Sequence, residues 1–457
     1  MIQDTICAIA TAQGGAIGSI RVSGPEAISI TGSIFKPAKA GKLLSEQKPY
    51  TLTFGRIYDG DEMIDEVLVS LFRAPHSYTG EDSTEITCHG STYILQQVMQ
   101  LLIKNGCRMA KPGEYTQRAF LNGKMDLSQA EAVADLIASS SAATHRLAMS
   151  QMRGGFSKEL TDLRNKLLNF TSMIELELDF SEEDVEFADR SALRKLADEI
   201  EQVISRLAHS FSVGNAIKNG VPVAIIGETN AGKSTLLNVL LNEDKAIVSD
   251  IHGTTRDVIE DTVNIGGITF RFIDTAGIRD TEDVVEKIGV ERAKKYLNNA
   301  DLVIYVVDTS TALDENDHEI MELLKDRHAI VLLNKSDLSP VTTVEDIRKH
   351  LDKKMISISA KEQTGMDDLE ETIKEMFFSG EVTFNDEVYI TNIRHKTSLQ
   401  EALRSLHLVL QSIADDMPED FYSIDLMNAY EELGNIIGES VEDDLVNEIF
   451  SKFCMGK

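Results

Sequence analysis

The chain has 457 residues, of which 42% are hydrophobic and 26% are charged, as in a typical globular protein. Its length exceeds one ordinary hydrophobic core, so we expect about two to four domains. With 75 Asp and Glu against 45 Lys and Arg, the formal net charge is −30. This charge opposes bulk adsorption to nucleic acid, so an anionic partner requires a local basic surface or a helper protein.

The four cysteines, Cys7, Cys88, Cys107 and Cys454, form no CxxC pair and no metal-ligand spacing. Reduced thiols in a cytosol therefore fit best. No apolar stretch approaches the length of a membrane span, so we expect no transmembrane helix. These features together predict a cytoplasmic protein.

Residues 1–118 mix strand-like segments with turns, which predicts an α+β domain. The segments AIGSIRVSG, YTLTFGRIYDG and VLVSLFRAP are rich in β-branched or aromatic residues and are bounded by Gly, Pro or Asp. The segment STYILQQVMQLLIKNG has helical spacing and ends in Lys, Asn and Gly, a pattern that stops helices.

The pattern of residues 119–457 predicts a helical domain that is split in sequence by an inserted α/β domain. Residues 119–215 and 380–457 repeat apolar positions with a 3.6-residue period. Between them, residues 216–379 alternate helical segments with β-branched ones such as VPVAIIG, DLVIYVVD and AIVLLNKSD. Buried strands that alternate with helices indicate a mostly parallel sheet covered on both faces.

The segment GETNAGKS, residues 227–234, lies between the strand-like VPVAIIG and the helical STLLNVLL. It is the GxxxxGK[ST] phosphate-binding loop in the strand–loop–helix setting that this motif requires. Gly227 and Gly232 permit the backbone path that points N–H groups at phosphate. We expect Lys233 to reach the β- and γ-phosphates and Ser234 to offer its hydroxyl to Mg²⁺.

The segment DTAG, residues 274–277, follows the strand-like ITFRFI. Asp274 is placed to hold the magnesium shell, and the Gly277 N–H to meet the γ-phosphate. In small GTPases a glutamine after this glycine orients the attacking water. Here Ile278 takes that position and cannot orient water, so another group must do so.

Two later motifs select guanine. In NKSD, residues 334–337, Asp337 can accept two hydrogen bonds from guanine N1 and N2, a donor pair that adenine lacks. Asn334 is expected to hold the base loop and Lys335 to lie along the base plane, while the Ala360 N–H of SAK donates to the guanine oxygen. The predicted GTP contacts are Asn230, Ala231, Gly232, Lys233, Ser234, Thr235, Ser249, Thr254, Thr255, Asp274, Thr275, Ala276, Gly277, Asn334, Lys335, Asp337, Ser359, Ala360 and Lys361.

The segment SDIHGTTRD lies between the phosphate loop and DTAG, where a switch threonine belongs, and offers Thr254 and Thr255. Asn230, within the phosphate loop, is a candidate ligand for a monovalent cation close to the phosphates. From the residues alone, a variable loop residue is an equally good interpretation of Asn230.

Five segments identify the chain further: NAGKS, GTTRD, YTGEDSTEITCHG, PGEYTQRAFLNGKMDLSQAEAV and the terminal FCMGK. Through them the sequence resembles, along its whole length, the MnmE (TrmE) family of tRNA-modifying GTPases. The resemblance implies a multidomain α/β plus α protein. An N-terminal α+β folate-binding domain (1–118) is followed by a split helical domain (119–215 and 380–457), into which a Ras-like P-loop GTPase domain (216–379) is inserted.

The resemblance implies a GTP hydrolase that K⁺ activates by promoting dimerisation of the G domains. Asn230 matches the family's potassium ligand, and the backbone carbonyls of Ser249, Ile251 and Thr254 match the rest of the cation's shell. Thr255 matches the switch threonine that binds Mg²⁺ beside Ser234.

Glu286 matches the glutamate that positions the attacking water through a second water molecule. This assignment supplies what Ile278 cannot. Without the resemblance, Glu286 would be interpreted as a solvated charge on a helix.

The N-terminal domain is implied to form a constitutive homodimer and to bind 5-formyltetrahydrofolate or a related one-carbon tetrahydrofolate. Arg21, Glu81, Lys124 and Lys457 match the folate-contacting positions. The arginine and the lysines suit the glutamate tail or ring acceptors, and Glu81 suits the amino edge of the pterin. Taken singly, each is more often a surface charge.

Family members act with an FAD-dependent partner protein, in a heterotetramer or a larger assembly. The pair installs an aminomethyl or carboxymethylaminomethyl group at C5 of the wobble uridine of tRNA, and GTP hydrolysis drives a conformational cycle. The alternative is a ribosome-assembly or regulatory GTPase without folate chemistry. A metabolic folate enzyme with an accessory GTPase is a weaker third reading.

The C-terminal segment FCMGK contains Cys454. A prenylation box would need two aliphatic residues and a suitable terminal residue after the cysteine, whereas Met, Gly and Lys follow here. From the residues alone, Cys454 is an ordinary reduced thiol. The resemblance implies instead that the tail folds toward the folate site and that Cys454 is catalytic in the modification chemistry.

Overall fold

The computed structural model describes residues 4–12, 14–39, 41–139, 141–179, 190–243, 261–265, 268–273, 300–378, 389–415, 417–440, 443–454 and 456. The chain divides into two compact units. The first comprises Met1–Ala138, Ala148–Ser205 and Thr397–Lys457, and the second comprises Ser139–Leu147 and Arg206–Lys396. The predicted mixed fold class is confirmed, and the four domain boundaries stay a prediction.

A seven-stranded sheet begins the first unit, in the order β3-β4-β5-β6-β2-β1-β7. Its neighbours are antiparallel except for β1 and β7, which are parallel. Two helices cover one face, and a short 3₁₀ turn spans Leu44–Glu46. The elements are β1 (Ile6–Ile9), β2 (Ile17–Ser23), α1 (Ala27–Ile34), β3 (Phe35–Pro37), β4 (Thr51–Asp59), β5 (Glu62–Phe72), β6 (Ser83–His89), α2 (Thr92–Lys104) and β7 (Arg108–Met109).

Side-chain alternation decides which face of this sheet is buried. In β4 and β5 every second residue is buried, because successive side chains of a strand point to opposite faces. Val69 and Ile86 pack with Leu95 and Val98 of α2 in one apolar cluster. The three strands and the helix expected from sequence are confirmed, whereas α1 and β6 had not been predicted.

Helices make up the rest of the first unit, and three of them also include residues of the second unit. They are α3 (Glu114–Leu121), α4 (Leu127–Ala138), α5 (Ala142–Met152), α6 (Gly155–Asp179) and α7 (Arg190–Asn219), and, after the second unit's sheet, α12 (Ile393–Ala414), α13 (Glu419–Ile437) and α14 (Asp443–Ser451). Arg164 of α6 donates to the Tyr430 carbonyl of α13 (3.1 Å) and forms an ion pair with Glu439. Helices from the two separated segments therefore pack together, as expected.

The second unit contains a six-stranded sheet in the order β13-β12-β11-β8-β10-β9. All neighbours are parallel except β9 and β10. The mostly parallel sheet is confirmed, and the antiparallel edge strand β9 had not been predicted. The elements are β8 (Val221–Ile226), α8 (Lys233–Glu243), β9 (Asp261–Ile265), β10 (Ile268–Phe272), β11 (Leu302–Asp308), α9 (Glu315–Leu324), β12 (Ala329–Asn334), α10 (Val344–Arg348), β13 (Lys354–Ser357) and α11 (Met366–Phe378).

Helices cover both faces of this second sheet, as its sequence predicts. Every residue of β12 is buried, which explains its continuous apolar run. On one face Ile304 clusters with Leu236 of α8, and on the other Tyr305 clusters with Ile320 of α9. Within the described ranges, no helix combines the length and the apolar character that a bilayer crossing requires.

Candidate functional site

The phosphate loop follows β8 and leads into α8, as the motif predicts. Gly227 has φ +148° and Gly232 has φ +98°. A Cβ on Gly227 would lie 2.2 Å from the Val306 carbonyl oxygen, and one on Gly232 would lie 2.2 Å from the Asn334 Nδ2. Both positions therefore require glycine, because any side chain would collide with backbone or with a fixed amide.

The Lys233 side chain forms hydrogen bonds within the phosphate loop. Its Nζ donates to the carbonyl oxygens of Gly227 (2.9 Å) and Glu228 (2.7 Å). Burial lowers the pKa of the ammonium, which Glu228 partly opposes. No carboxylate of the described residues lies within ion-pair distance of Nζ. A partly buried cation in a curl of backbone N–H groups fits an anionic phosphate.

Asn334, the last residue of β12, joins the phosphate loop to the SAK segment. It is 2% exposed, its Nδ2 donates to the Ala231 carbonyl (2.7 Å), and its Oδ1 accepts from the Ala360 N–H (3.0 Å). The expected anchoring of the base loop by Asn334 thus extends to the phosphate loop. The Ala360 N–H is already engaged here, so its contact with the guanine oxygen stays a prediction.

The two side chains that are expected to contact the guanine base, those of Asp337 and Lys335, each form a hydrogen bond with another part of the second unit. The Ser359 hydroxyl donates to Asp337 Oδ1 (2.6 Å), and this hydrogen bond lowers the pKa of the Asp337 carboxyl. Lys335 Nζ donates to Asp308 Oδ2 (2.5 Å) at the end of β11. An ionised, exposed carboxylate at Asp337 suits the paired donors of guanine.

Three carboxylates lie beside the phosphate loop, on Glu228, Asp314 and Asp317, with ligand atoms within 4.8 Å of one another. Burial raises the pKa of Glu228, and the two aspartates raise it further. Asp314 and Asp317 form the capping box of α9, and Tyr305 donates to Asp317 Oδ1 (2.6 Å). Helix capping accounts for the two aspartates, so nothing in this group calls for a bound cation.

In the first unit, Arg21 lies on β2 among aromatic and acidic side chains. Its Nε donates to Glu85 Oε1 (2.8 Å), and its guanidinium carbon lies 5.8 Å from the Tyr78 ring centre and 5.7 Å from that of Tyr115. Such a stacked guanidinium is pre-oriented, and its Nη1 donates to the Gly456 carbonyl (3.1 Å).

Glu81 is held by two residues that sequence reasoning had not singled out. Arg118 is fully buried, and its Nη1 donates to both Glu81 carboxylate oxygens (3.1 and 3.2 Å). The Ser23 hydroxyl donates to Glu81 Oε2 (2.8 Å). The Arg118 guanidinium also donates through Nη2 to Asp4 (2.7 Å) and Glu114 (3.0 Å). Glu81 is therefore fixed in orientation before any ligand arrives.

Lys124 lies close to the loop that carries Glu81. A Cβ on Gly80 would lie 3.4 Å from Lys124 Cδ, which places the lysine stem beside the loop that carries Glu81. Lys124 Nζ donates to the Pro75 carbonyl (2.9 Å).

The tail is fastened at two backbone positions. The Gly113 N–H donates to the Cys454 carbonyl (3.3 Å). Gly456 has φ +88°, and a Cβ there would lie 2.6 Å from the Ile9 carbonyl oxygen. The tail therefore runs against β1 and β2, and the Cys454 residue is exposed, unlike the three other cysteines.

Comparisons with known proteins cover the whole chain. A family model described as "MnmE helical domain" matches residues 127–454, and one described as "GTP-binding protein TrmE N-terminus" matches residues 5–124. The tRNA modification GTPase MnmE of Bacteroides thetaiotaomicron is 70% identical and covers 100% of both chains. The chain belongs to the MnmE family. The MnmE of Flavobacterium johnsoniae is 50% identical, over 100% of this chain and 99% of its own.

Among solved structures, the G domain of the T. maritima FeoB iron transporter matches 34% of this chain and 97% of its own. The identity is 27% and the TM-score is 0.26. Membership of the MnmE family makes the chain a GTP hydrolase, in agreement with the phosphate loop and the guanine motifs.

The structure brings together two groups of the residues expected of an MnmE family member. Asn230 to Thr235 form the end of the phosphate loop and the start of α8, where Asn230 is exposed with φ +64°. Asn334 links this loop to Ala360, and Ser359 contacts Asp337. In the first unit Arg21 contacts the tail at Gly456, and Lys124 lies beside the loop that carries Glu81. The expected residues that lie outside the described ranges are Ser249, Ile251, Thr254, Thr255, Asp274, Thr275, Ala276, Gly277, Ile278, Glu286 and Lys457.

Proposed function

We propose that this chain is a potassium-stimulated GTPase of tRNA modification. In this proposal it acts with an FAD-dependent partner to install an aminomethyl or carboxymethylaminomethyl group on the wobble uridine, using a one-carbon tetrahydrofolate. It works as a homodimer through its N-terminal domain. The observation that carries the GTPase part is the contact of Asn334 with both the phosphate loop and SAK. The tRNA part rests on what the full-length relatives are named.

The phosphate loop has a clear task in hydrolysis. Lys233 faces a bound triphosphate with backbone N–H groups on either side, and Ser234 stands at the first turn of α8, where a Mg²⁺ ligand belongs. Magnesium, when bound, neutralises charge on the phosphates, and Asp274 and Thr255 complete its surroundings in the proposal. Because Ile278 cannot orient water, Glu286 takes that task, acting through a second water molecule.

Potassium is proposed to occupy a shell formed by the Asn230 side chain and the carbonyls of Ser249, Ile251 and Thr254. When bound, it supplies positive charge where an arginine finger acts in other GTPases. The left-handed backbone at Asn230 exposes this residue at the loop surface, which supports an outward-facing ligand.

The experiment is GTP turnover by the full chain in K⁺ and in Na⁺ at equal ionic strength. We expect turnover to collapse in Na⁺ while nucleotide affinity stays nearly intact, and Asn230→Ala to remove the difference between the salts. The matched control is Asn219→Ala, at the exposed end of α7. This variant should keep the difference in turnover between K⁺ and Na⁺. Equal turnover of the parent chain in both salts refutes the potassium mechanism.

Folate binding is proposed at Arg21, Glu81, Lys124 and Lys457. Arg118 and Ser23 hold the Glu81 carboxylate, so its free lone pairs face a fixed direction, as recognition of a pterin edge requires. Equilibrium dialysis of the full chain with 5-formyltetrahydrofolate tests this assignment. Glu81→Gln should weaken binding by about tenfold or more, since a charge-assisted hydrogen bond contributes about 1.5–3 kcal/mol.

The matched control is Glu66→Gln. Glu66 lies on β5 of the same sheet and forms an exposed ion pair with Arg56, so this variant should bind 5-formyltetrahydrofolate as the parent chain does. Absence of folate binding to the parent chain would favour a regulatory GTPase without folate chemistry.

Cys454 is proposed to act in the modification chemistry, because its residue is exposed on a tail that runs beside Arg21. Cys454→Ser should keep GTP turnover and lose tRNA modification. Cys88→Ser, a buried control, should keep both. If Cys454→Ser modifies tRNA normally, the thiol is only structural.

A further inference from the structure

A basic surface lies on the second unit, in a chain whose net charge is −30. Two adjoining cavities, of about 520 and 340 Å³, share Asp352 and Lys353 in their walls. The Lys and Arg side chains that line them define what we call the basic edge: Lys325, Arg327, Arg348, Lys349, Lys353 and Lys354.

Charge on the basic edge is only partly neutralised. Six cationic side chains line the cavities, against the two carboxylates of Asp352 and Glu375. Lys349 pairs with Asp346 (3.0 Å), Lys354 with Glu375 (3.3 Å) and Lys325 with Glu322 (2.5 Å), and all three pairs are exposed. Exposed pairs contribute little and exchange partners readily. Their lysines therefore remain available to an incoming anion.

Two cations of the basic edge have no ion-pair partner in the part of the chain that the structure describes. Arg348 is exposed and Lys353 is half-buried, and neither has a carboxylate within 4.0 Å among the residues that the structure describes. An arginine presents a planar fork of donors that matches phosphate geometry. These two side chains are the strongest candidates for direct contact with an anionic ligand.

The basic edge lies at the opposite end of the sheet from the nucleotide site. It surrounds the first residues of β12 and β13, Ala329 and Lys354, whereas Asn334 at the last residue of β12 holds the phosphate loop. Five residue steps along a strand separate the two ends by about 17 Å. A phosphate bound at the basic edge therefore does not occupy the nucleotide site.

We propose that the basic edge binds the phosphate backbone of tRNA. This inference rests on the proposed function, which supplies tRNA as the substrate. RNA is favoured over an acidic protein because the cations line two adjoining cavities. An RNA backbone carries a negative charge at each nucleotide and can therefore contact cations in both. The acidic remainder of the chain repels RNA, so the basic edge also determines how the substrate is oriented.

The test measures tRNA binding to the full chain alone, by fluorescence anisotropy across a range of KCl concentrations. Arg348→Gln with Lys353→Gln removes two cations without breaking an ion pair. The control, Lys104→Gln with Lys166→Gln, removes the same charge from exposed pairs of the first unit. Each lost phosphate contact lowers the magnitude of the slope of log K against log salt by about 0.8.

We therefore expect the double variant to lose about 1.6 from that slope and to bind tRNA about 40-fold more weakly at about 0.1 M salt. The control should follow the parent, and all three chains should hydrolyse GTP alike. Equal tRNA affinity and slope for the double variant and the control overturn the proposal. Binding of poly-L-glutamate that is as tight as that of tRNA, and is lost equally in the double variant, assigns the surface to an acidic protein instead.

Wobble-uridine analysis separates this proposal from the proposed function. If cells lacking the chain lose the modification but the double variant restores it fully, the function stands and the basic edge has been misassigned. If cells lacking the chain keep the modification, the proposed function fails, whatever the binding result.

Discussion

Asn334→Ala removes the side chain that joins the phosphate loop to the SAK segment. Asn334 is almost fully buried, and its amide makes one hydrogen bond to the Ala231 carbonyl and one to the Ala360 N–H. The substitution leaves both backbone groups without these partners in a site from which water is largely excluded. We therefore expect a loss of stability and a loss of nucleotide affinity together.

The magnitude follows from those two hydrogen bonds. An unsatisfied buried polar group costs about 1–3 kcal/mol, so the pair costs about 2–6 kcal/mol of the free energy of unfolding. For a unit of this size, about 3 kcal/mol lowers Tm by about 6–12 °C. Nucleotide affinity should fall by about tenfold for each 1.4 kcal/mol needed to realign the two loops.

Calorimetry of the full chain measures this effect, since the chain has no tryptophan to report unfolding. Two units preclude a single two-state analysis. The transition that GDP raises belongs to the nucleotide-binding unit, because a ligand stabilises only what it binds. Asn219→Ala, at an exposed position of the same unit, should shift that transition by less than about 0.5 kcal/mol.

The reasoning would be refuted by an Asn334→Ala protein whose GDP-sensitive transition and GDP affinity both match those of Asn219→Ala. A shift in affinity alone would mean that Asn334 contacts the nucleotide without stabilising the loops.

Three further changes test other parts of the account. Asp337→Asn replaces the acceptor for guanine and should weaken GTP binding by about 10- to 100-fold in a competition assay, and unchanged affinity would contradict the assignment. Burial raises the pKa of Glu114, but hydrogen bonds led by that of Arg108 outweigh burial and lower it. Its stabilisation is therefore present above the ordinary carboxyl pKa and is lost as pH falls through the lowered one. Glu114→Gln should be less stable than the parent at pH 7, and the difference in Tm of the GDP-insensitive transition should shrink as the pH falls below the ordinary carboxyl pKa, whereas a constant difference would argue against it. Gly456→Ala would place a Cβ 2.6 Å from the Ile9 carbonyl oxygen and should therefore speed hydrogen exchange of the tail amides. Unchanged exchange would show that the tail is not held at this position.

Sequence reasoning succeeded where the information is local. The phosphate loop was recognisable because Gly227, Gly232 and Lys233 have fixed spacing between a strand and a helix, and the structure explains each glycine by a specific close approach. The parallel sheet was predictable because β12 is apolar at nearly every position and buried throughout. Periodicity therefore predicted the mostly parallel sheet of the second unit, but not its antiparallel edge strand β9.

Sequence reasoning failed where partners lie far apart in the chain. Arg118 contacts Glu81 and Asp4, which are 37 and 114 positions away, and no local pattern marks an arginine as fully buried. Helix α1, AISITGSI, is rich in isoleucine and contains no charge, so its composition resembles that of a strand. Packing on the sheet, rather than propensity, decides its conformation.

The basic edge was invisible for a related reason. Its cations come from three separate stretches, around Lys325, Arg348 and Lys353, each of which also contains or adjoins acidic residues. Only the fold gathers them around shared cavities, and the bulk charge of −30 conceals them.

The central claim is that this chain is required for C5 modification of the wobble uridine. Its most direct test is mass spectrometry of wobble nucleosides from cells that lack the chain, with and without the parent sequence restored. The account predicts that aminomethyl and carboxymethylaminomethyl uridines disappear without the chain and return with it. Unchanged levels of these nucleosides in its absence would contradict the claim.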